Sequence, residues 1–218
     1  LHLCDRRQRQ MCIRDRDKND SDFTGFLVQT DYQAKQTGFI QPYADSPMDH
    51  EQVGEEVYIS MVNKAEKYCW FMTPYLIITD EMSHALCLAA KRGVDVRIIT
   101  PGIPDKKMIY NITRSFYHGL VKHGVRIYEW TPGFCHAKMS VADDCMATCG
   151  TINLDYRSLY HHFENGCFMA DCQAVLDIRN DLAATMDECC EVTEQYSTGR
   201  SAYLRLGQLF MRLFAGLL

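Results

Sequence analysis

The chain has 218 residues, 47% apolar and 23% charged, a balance that excludes global disorder and suits one full hydrophobic core with short appendages. The net charge of −5 is uneven: residues 1–16 hold five arginines against two aspartates, so the remainder carries −8. An acidic body argues against a general nucleic-acid binder, which needs a basic face to neutralise phosphates.

Residues 1–16 (LHLCDRRQRQMCIRDR) lack an apolar period, and the composition changes abruptly after Arg16; they read as a disordered or artefactual segment. Residues 17–49 read as a linker with short extended pieces at Phe26-Leu27-Val28 and Gly38-Phe39-Ile40, closed by a turn at Asp45-Ser46-Pro47. Regular alternation then begins, and residues 50–199 form the predicted catalytic domain. A helix is expected over 51–67, with Val53, Val57, Met61, Val62 and Ala65 on its apolar face. A strand follows at 68–73, ended by Pro74. The next helix, 80–92, has Asp80 as its N-cap and Gly93 as its stop. A β-branched strand at 94–100, a helix at 105–123 stopped by Gly124, and a strand at 125–130 continue the pattern.

Beyond Thr131-Pro132-Gly133, strands at 135–142, 145–149 and 163–170 lack long helices between them, so part of the sheet is expected to be antiparallel. A helix over 172–190, with Val175, Leu176, Ile178, Leu182 and Met186 apolar, a polar linker at 195–199 and an amphipathic helix over 200–218 end the chain. The fold class is α/β: a mixed β-sheet with helices on both faces. No apolar run reaches the ~20 residues that span a bilayer.

Eleven cysteines are many for this length, yet their spacing forms no disulfide framework. Cys69, Cys87, Cys145, Cys149 and Cys167 fall on predicted strands or helices, where reduced cysteine packs as a small hydrophobe in a reducing compartment. A zinc site from Cys135, His136, Cys145 and Cys149 is the alternative, weakened by the lack of a C-x-x-C pair.

The segment from His136 to Glu164 carries the chemistry. Residues two apart on a strand share a face, so His136 and Lys138 point together, as do Thr151 and Asn153 if extended. An imidazole beside an ammonium, with a hydroxyl and an amide nearby, suits a phosphoryl group: Lys138, Thr151 and Asn153 bind its oxygens while His136 acts as nucleophile or acid/base. Gly150 permits a close backbone approach. Alone, H-x-K is common and weak. The string HAKMSVADDCMATCGTIN, with Asp143 and Gly150 at fixed spacing, is far more specific.

That string resembles the H-x-K-x-x-x-x-D motif of the phospholipase D superfamily, and GFIQPYADSP, MTPYLIITDE, YEWTPGFCHAK and NLDYRS resemble segments of bacterial cardiolipin synthases. The resemblance, over roughly residues 20–218, implies a phospholipase D-like domain in which His136 and Lys138 are catalytic. It also implies that Asn153 binds phosphate, that Asp143 completes the motif in a role more structural than chemical and that Glu164 orients His136, with Thr151 standing where serine is common. It implies phosphatidyl transfer between two phosphatidylglycerol molecules through a phosphohistidine, without cofactor or metal. The products are cardiolipin and glycerol, and the enzyme works at the cytoplasmic membrane without nucleic acid. Such enzymes carry N-terminal membrane segments and a first motif that usually supplies the nucleophile, which leaves His136 as the acid/base. His2 and His50, the only histidines before residue 84, have no lysine two residues on. The chain therefore reads as the second half of a two-motif enzyme, inactive without its N-terminal partner domain. Rival readings are a homodimeric phospholipase D-type phosphodiesterase or nuclease, and an inert fragment.

Glu164 should reach His136 by a hydrogen bond, and the site should gather at the C-terminal edges of sheet strands. Residues 73–77 (TPYLI), 131–134 (TPGF) and the last helix should be exposed for a sister domain. Arg157 should pair with a structural carboxylate rather than a phosphate. His161 and His162, like His118 and His123, should be surface histidines.

Overall fold

The continuous apolar runs in the middle of the chain become buried strands because each is covered on both faces. A computed structural model describes residues 37–48 and 51–197. The expectations for residues 1–36, for 198–199 of the linker and for the last helix lie outside the described residues.

In chain order the elements are β1 (Phe39–Asp45), α1 (Val53–Lys64), β2 (Tyr68–Met72), β3 (Leu76–Ile77), α2 (Asp80–Lys91), β4 (Asp95–Pro101), α3 (Lys107–Val121) and β5 (Arg126–Trp130). They continue with β6 (Met139–Ala142), β7 (Met146–Gly150), β8 (Leu154–Asp155), α4 (Tyr156–Tyr160), β9 (Glu164–Ala170), α5 (Gln173–Asp187), β10 (Cys189–Glu191) and α6 (Thr193–Ser197). An eight-stranded sheet runs β1-β9-β7-β6-β2-β4-β5-β10, and β3 pairs with β8 in a two-stranded sheet. Strands β2, β4 and β5 are parallel neighbours, whereas β6, β7, β9, β1 and β10 join antiparallel, so the sheet is mixed as expected.

The strand period divides the core in two. Phe71, Ile98, Ile127 and Ala142 face α1, α2, α3 and α6, burying Met61, Val62, Leu86, Phe116, Leu120 and Tyr196. Their sequence neighbours Met72, Ile99, Tyr128 and Val141 face α5, where Val175, Leu182 and Met186 are buried. Helices thus cover both faces.

Local signals explain most boundaries. Gly93 and Gly124, at φ +95° and +100°, end their helices in the left-handed region that glycine enters freely. The N-cap of α2 is Thr79 rather than Asp80: its hydroxyl accepts from the Met82 N–H at 3.0 Å, which moves the helix start by one residue. The buried face of α1 is also turned from the expected one. Glu55 and Tyr58 point inward while Val53 and Val57 are only half-buried. Hydrogen bonds decide this rotation, because Glu55 accepts from Thr79 and from the Tyr160 hydroxyl, and Tyr58 donates to the Ile152 carbonyl. Strand β1, placed by sequence in the linker, pairs along its whole length with β9 and belongs to the catalytic sheet.

Candidate active site

One edge of the sheet collects the candidate residues because of how the strands run. Parallel β2, β4 and β5 end there, as does β7, while antiparallel β6 and β9 begin there. The register sets Met72 opposite Met139, Met139 opposite Cys149, and Gly150 opposite Gly166. His136 and Lys138 enter this edge just before β6, and Thr151 and Asn153 leave it just after β7. Glu164 is the first residue of β9.

The strand expected over 135–142 is formed only from Met139 onward. Its partner β2 ends at Met72, the Thr73 N–H turns to the Ile99 carbonyl, and Pro74 has no N–H to continue the ladder. Residues 135–138 are therefore freed for the site. Lys138 is anchored from the other side, its carbonyl accepting from the Gly150 N–H at 3.3 Å.

His136 and Lys138 do share a face. The buried Lys138 Nζ donates to the His136 carbonyl at 2.8 Å and lies 2.8 Å from Nδ1 and 3.2 Å from Nε2 of the exposed ring. The ring of His136 is flanked by Tyr75 and Phe134, with centroids 6.3 and 5.9 Å away. Partial burial, and next the Lys138 ammonium, hold the His136 pKa below the usual histidine range, with Asp105 opposing. Lys138 is itself lowered by burial, against the pull of Glu164 and Asp155.

At Gly150 an added Cβ would lie 2.4 Å from the Asn165 carbonyl oxygen. The close approach foreseen there is thus made to β9, and it sets Thr151 beside Glu164. The Thr151 hydroxyl donates to Glu164, and its N–H to the Asn165 carbonyl at 2.9 Å. Burial raises the Glu164 pKa, opposed by its bonds to Thr151 and Ser158. The expected hydrogen bond from Glu164 to His136 is not among those formed by the described residues. Glu164 is engaged by Thr151 instead, and the histidine at its carboxylate is His162, with Nδ1 3.7 Å from Oε1.

Asp143, which completes the motif, stands apart from these residues in a structural position. It sits in the turn between β6 and β7, at the end of β6 away from Lys138. Its carboxylate accepts the backbone N–H groups of Glu66, Lys67 and Tyr68 at 2.7, 2.9 and 2.8 Å. It fastens the start of β2 and takes no part in the site. The zinc alternative fails on similar grounds, since Cys145 lies at that same turn. Among the described residues no group of three or more His, Cys, Asp or Glu is gathered to hold a metal.

Two residues that sequence reasoning passed over complete the site. Ser158, buried in α4, accepts from Asn153 Nδ2 at 2.9 Å, and its N–H donates to Asp155 at 2.7 Å. Asp155 is buried, and that burial raises its pKa. Both stand inside NLDYRS, so the signal was the density of polar residues directly after Asn153. The Asn153 Oδ1 is buried without a hydrogen-bond partner among the described residues. The two loops expected to be exposed behave oppositely: residues 73–77 are mostly buried through β3, whereas Phe134 at the tip of 131–134 is 42% exposed.

The lowered His136 pKa gives a direct check. In an imidazole C–H NMR titration, His136 should have its midpoint below the model-peptide value of about 6.5. It should move upward in Lys138→Met, because the neighbouring positive charge that disfavours protonation is gone. An unmoved midpoint would mean that the ammonium does not act on the ring.

Known proteins resemble this chain in sequence and in fold. The family described as cardiolipin synthase, PLD-like domain, matches residues 58–186. An uncharacterized protein of Streptococcus mutans is 47% identical over 199 residues, covering 91% of this chain and 43% of the relative. The cardiolipin synthase of Halalkalibacterium halodurans is 32% identical over 184 residues, covering 84% of this chain and 37% of the relative. The chain thus spans about two fifths of the length of these curated relatives. Among solved structures, the phospholipase D family member Nuc from Salmonella typhimurium superposes with a TM-score of 0.61 at 15% identity, over 71% of this chain and 98% of Nuc. At that identity the likeness is one of fold.

Proposed function

Because the chain belongs to the cardiolipin synthase family of phospholipase D-like domains, we propose that it supplies one of the two histidine–lysine sites of a phosphatidyltransferase. That enzyme joins two phosphatidylglycerol molecules into cardiolipin and glycerol. The observation that carries the reading is the Lys138 ammonium held against His136 at the sheet edge where Thr151, Asn153 and Glu164 also meet.

A two-step transfer uses these groups as follows. One histidine attacks phosphorus, forming an N–P bond as the P–O bond to glycerol breaks. The opposing histidine gives the departing oxygen its proton. That same histidine then takes the proton from the hydroxyl of the second phosphatidylglycerol, whose oxygen displaces the histidine from phosphorus. The lowered pKa of His136 keeps it uncharged near neutral pH, the form needed to accept that proton or to attack. A bound phosphodiester adds negative charge beside the ring and raises the pKa again, so protonation follows substrate binding. Lys138 stabilises the non-bridging oxygens. Asn153, which leaves the same edge just after β7 and is held by Ser158 through Nδ2, adds a further polar group for the phosphate. Phe134 and Phe163, 42% and 47% exposed, suit a site that works at a membrane surface.

The opposing histidine would come from a partner domain of the longer protein. A homodimer pairing two copies of the motif about a two-fold axis is the competing arrangement. For a nuclease version of it, the net charge of −5 is unfavourable. Glycerol release from phosphatidylglycerol in detergent separates the readings. The isolated chain should be inactive, and co-expression with an N-terminal half carrying the partner motif should restore turnover. Turnover by a monomer of verified mass would contradict the two-histidine scheme, and turnover by a dimer alone would favour the paired-motif phosphodiesterase.

A further inference from the structure

Of the six arginines among the described residues, five have partners that balance or satisfy a guanidinium, four of them carboxylates. Arg97, Arg114, Arg126 and Arg179 meet Asp95, Glu129, Glu191 and Asp144 at 2.6–3.2 Å, and Arg92 donates to the carbonyls of Val62, Asn63 and Ala65. Arg157 differs. Its Nε donates to Nε2 of His162 at 2.9 Å, an acceptor that carries no compensating charge. Among the described residues the structural carboxylate expected of it is not found.

The acceptor role of Nε2 leaves the His162 proton on Nδ1, which faces Glu164 Oε1 at 3.7 Å. The other oxygen of Glu164 is taken by Thr151. Arg157 itself is exposed on α4, adjacent in sequence to Ser158, which holds Asn153. An exposed guanidinium without a carboxylate, one residue from the phosphate-site network, presents its two NH₂ groups in the fork that suits phosphate.

We propose that Arg157 and His162 form a second anion subsite beside His136 and Lys138, which holds the phosphodiester of the acceptor molecule while its hydroxyl attacks. This rests on the phosphatidyl-transfer reading. The two phosphates of the product are joined through one glycerol, so the acceptor's phosphate must lie close to the reacting one.

Imidazole C–H NMR on the 218-residue chain tests it, because His136 and His162 report the two subsites separately. The probes are inorganic phosphate and dihexanoyl-phosphatidylglycerol below its micelle-forming concentration. Both histidines should shift with the lipid. Arg157→Ala should weaken the His162 response about tenfold and leave that of His136 unchanged, with Arg157→Lys intermediate. A matching His162 response to inorganic phosphate supports a general phosphate subsite, and a response to the lipid alone supports a headgroup subsite. If His136 responds and His162 does not, or if Arg157→Ala changes nothing, the subsite is refuted and the transfer reading stands. Silence at both histidines overturns both.

Discussion

Replacing His136 by asparagine in the enzyme co-assembled with its partner motif is expected to lower glycerol release by about 10²–10⁴-fold, the range for removing a general acid or base. The loss is larger still if His136 is the nucleophile, because the covalent route then closes. Asparagine keeps much of the ring's shape and leaves the Lys138 bond to the residue's own backbone carbonyl intact, so folding should be preserved. The decisive comparison is kcat against short-chain lipid binding by the same variant. Loss of kcat with retained binding marks a group used in the transition state. A variant that turns over at the wild-type rate would show that the His136–Lys138 pair is a structural contact and would remove the ground for assigning the site.

The second large effect is on stability. Asp143 accepts three backbone N–H groups from consecutive residues and holds φ at +52°, where asparagine and aspartate are tolerated better than other side chains. Asp143→Ala strips these donors of a charged acceptor and adds backbone strain, so it should cost about 2–4 kcal/mol in chemical denaturation. Asp143→Asn should cost less. Neither substitution should move the His136 titration midpoint, since Asp143 does not touch the site. A stable Asp143→Ala protein whose His136 midpoint has shifted would return Asp143 to the chemistry.

Asp143 belongs to the motif as a string but stands apart from the site in space. A motif read as a string presents its residues as one set, and five positions separate Lys138 from Asp143. Through an extended strand at about 3.3 Å per residue that spacing carries the chain along β6 to the opposite end of the sheet. His136 and Lys138 stay together because residues two apart on an extended segment meet directly. Glu164 shows a third case. Its placement at the sheet edge was legible, whereas its hydrogen-bond partner was not, because Thr151 reaches it only through the close approach of β7 and β9 at Gly150.

By itself, the sequence determined the mixed α/β sheet with helices on both faces, the helix stops at Gly93 and Gly124, and the pairing of His136 with Lys138. These depend on period, on backbone permissiveness and on neighbours two residues apart, all local quantities. Tertiary structure alone decided the inward turn of Glu55, the joining of β1 to the catalytic sheet, and the capture of Asn153 by Ser158. It also decided that Arg157 would meet a neutral imidazole. Each of these is a choice among several polar partners of similar chemistry, and what settles it is which strands lie side by side and how far each reaches.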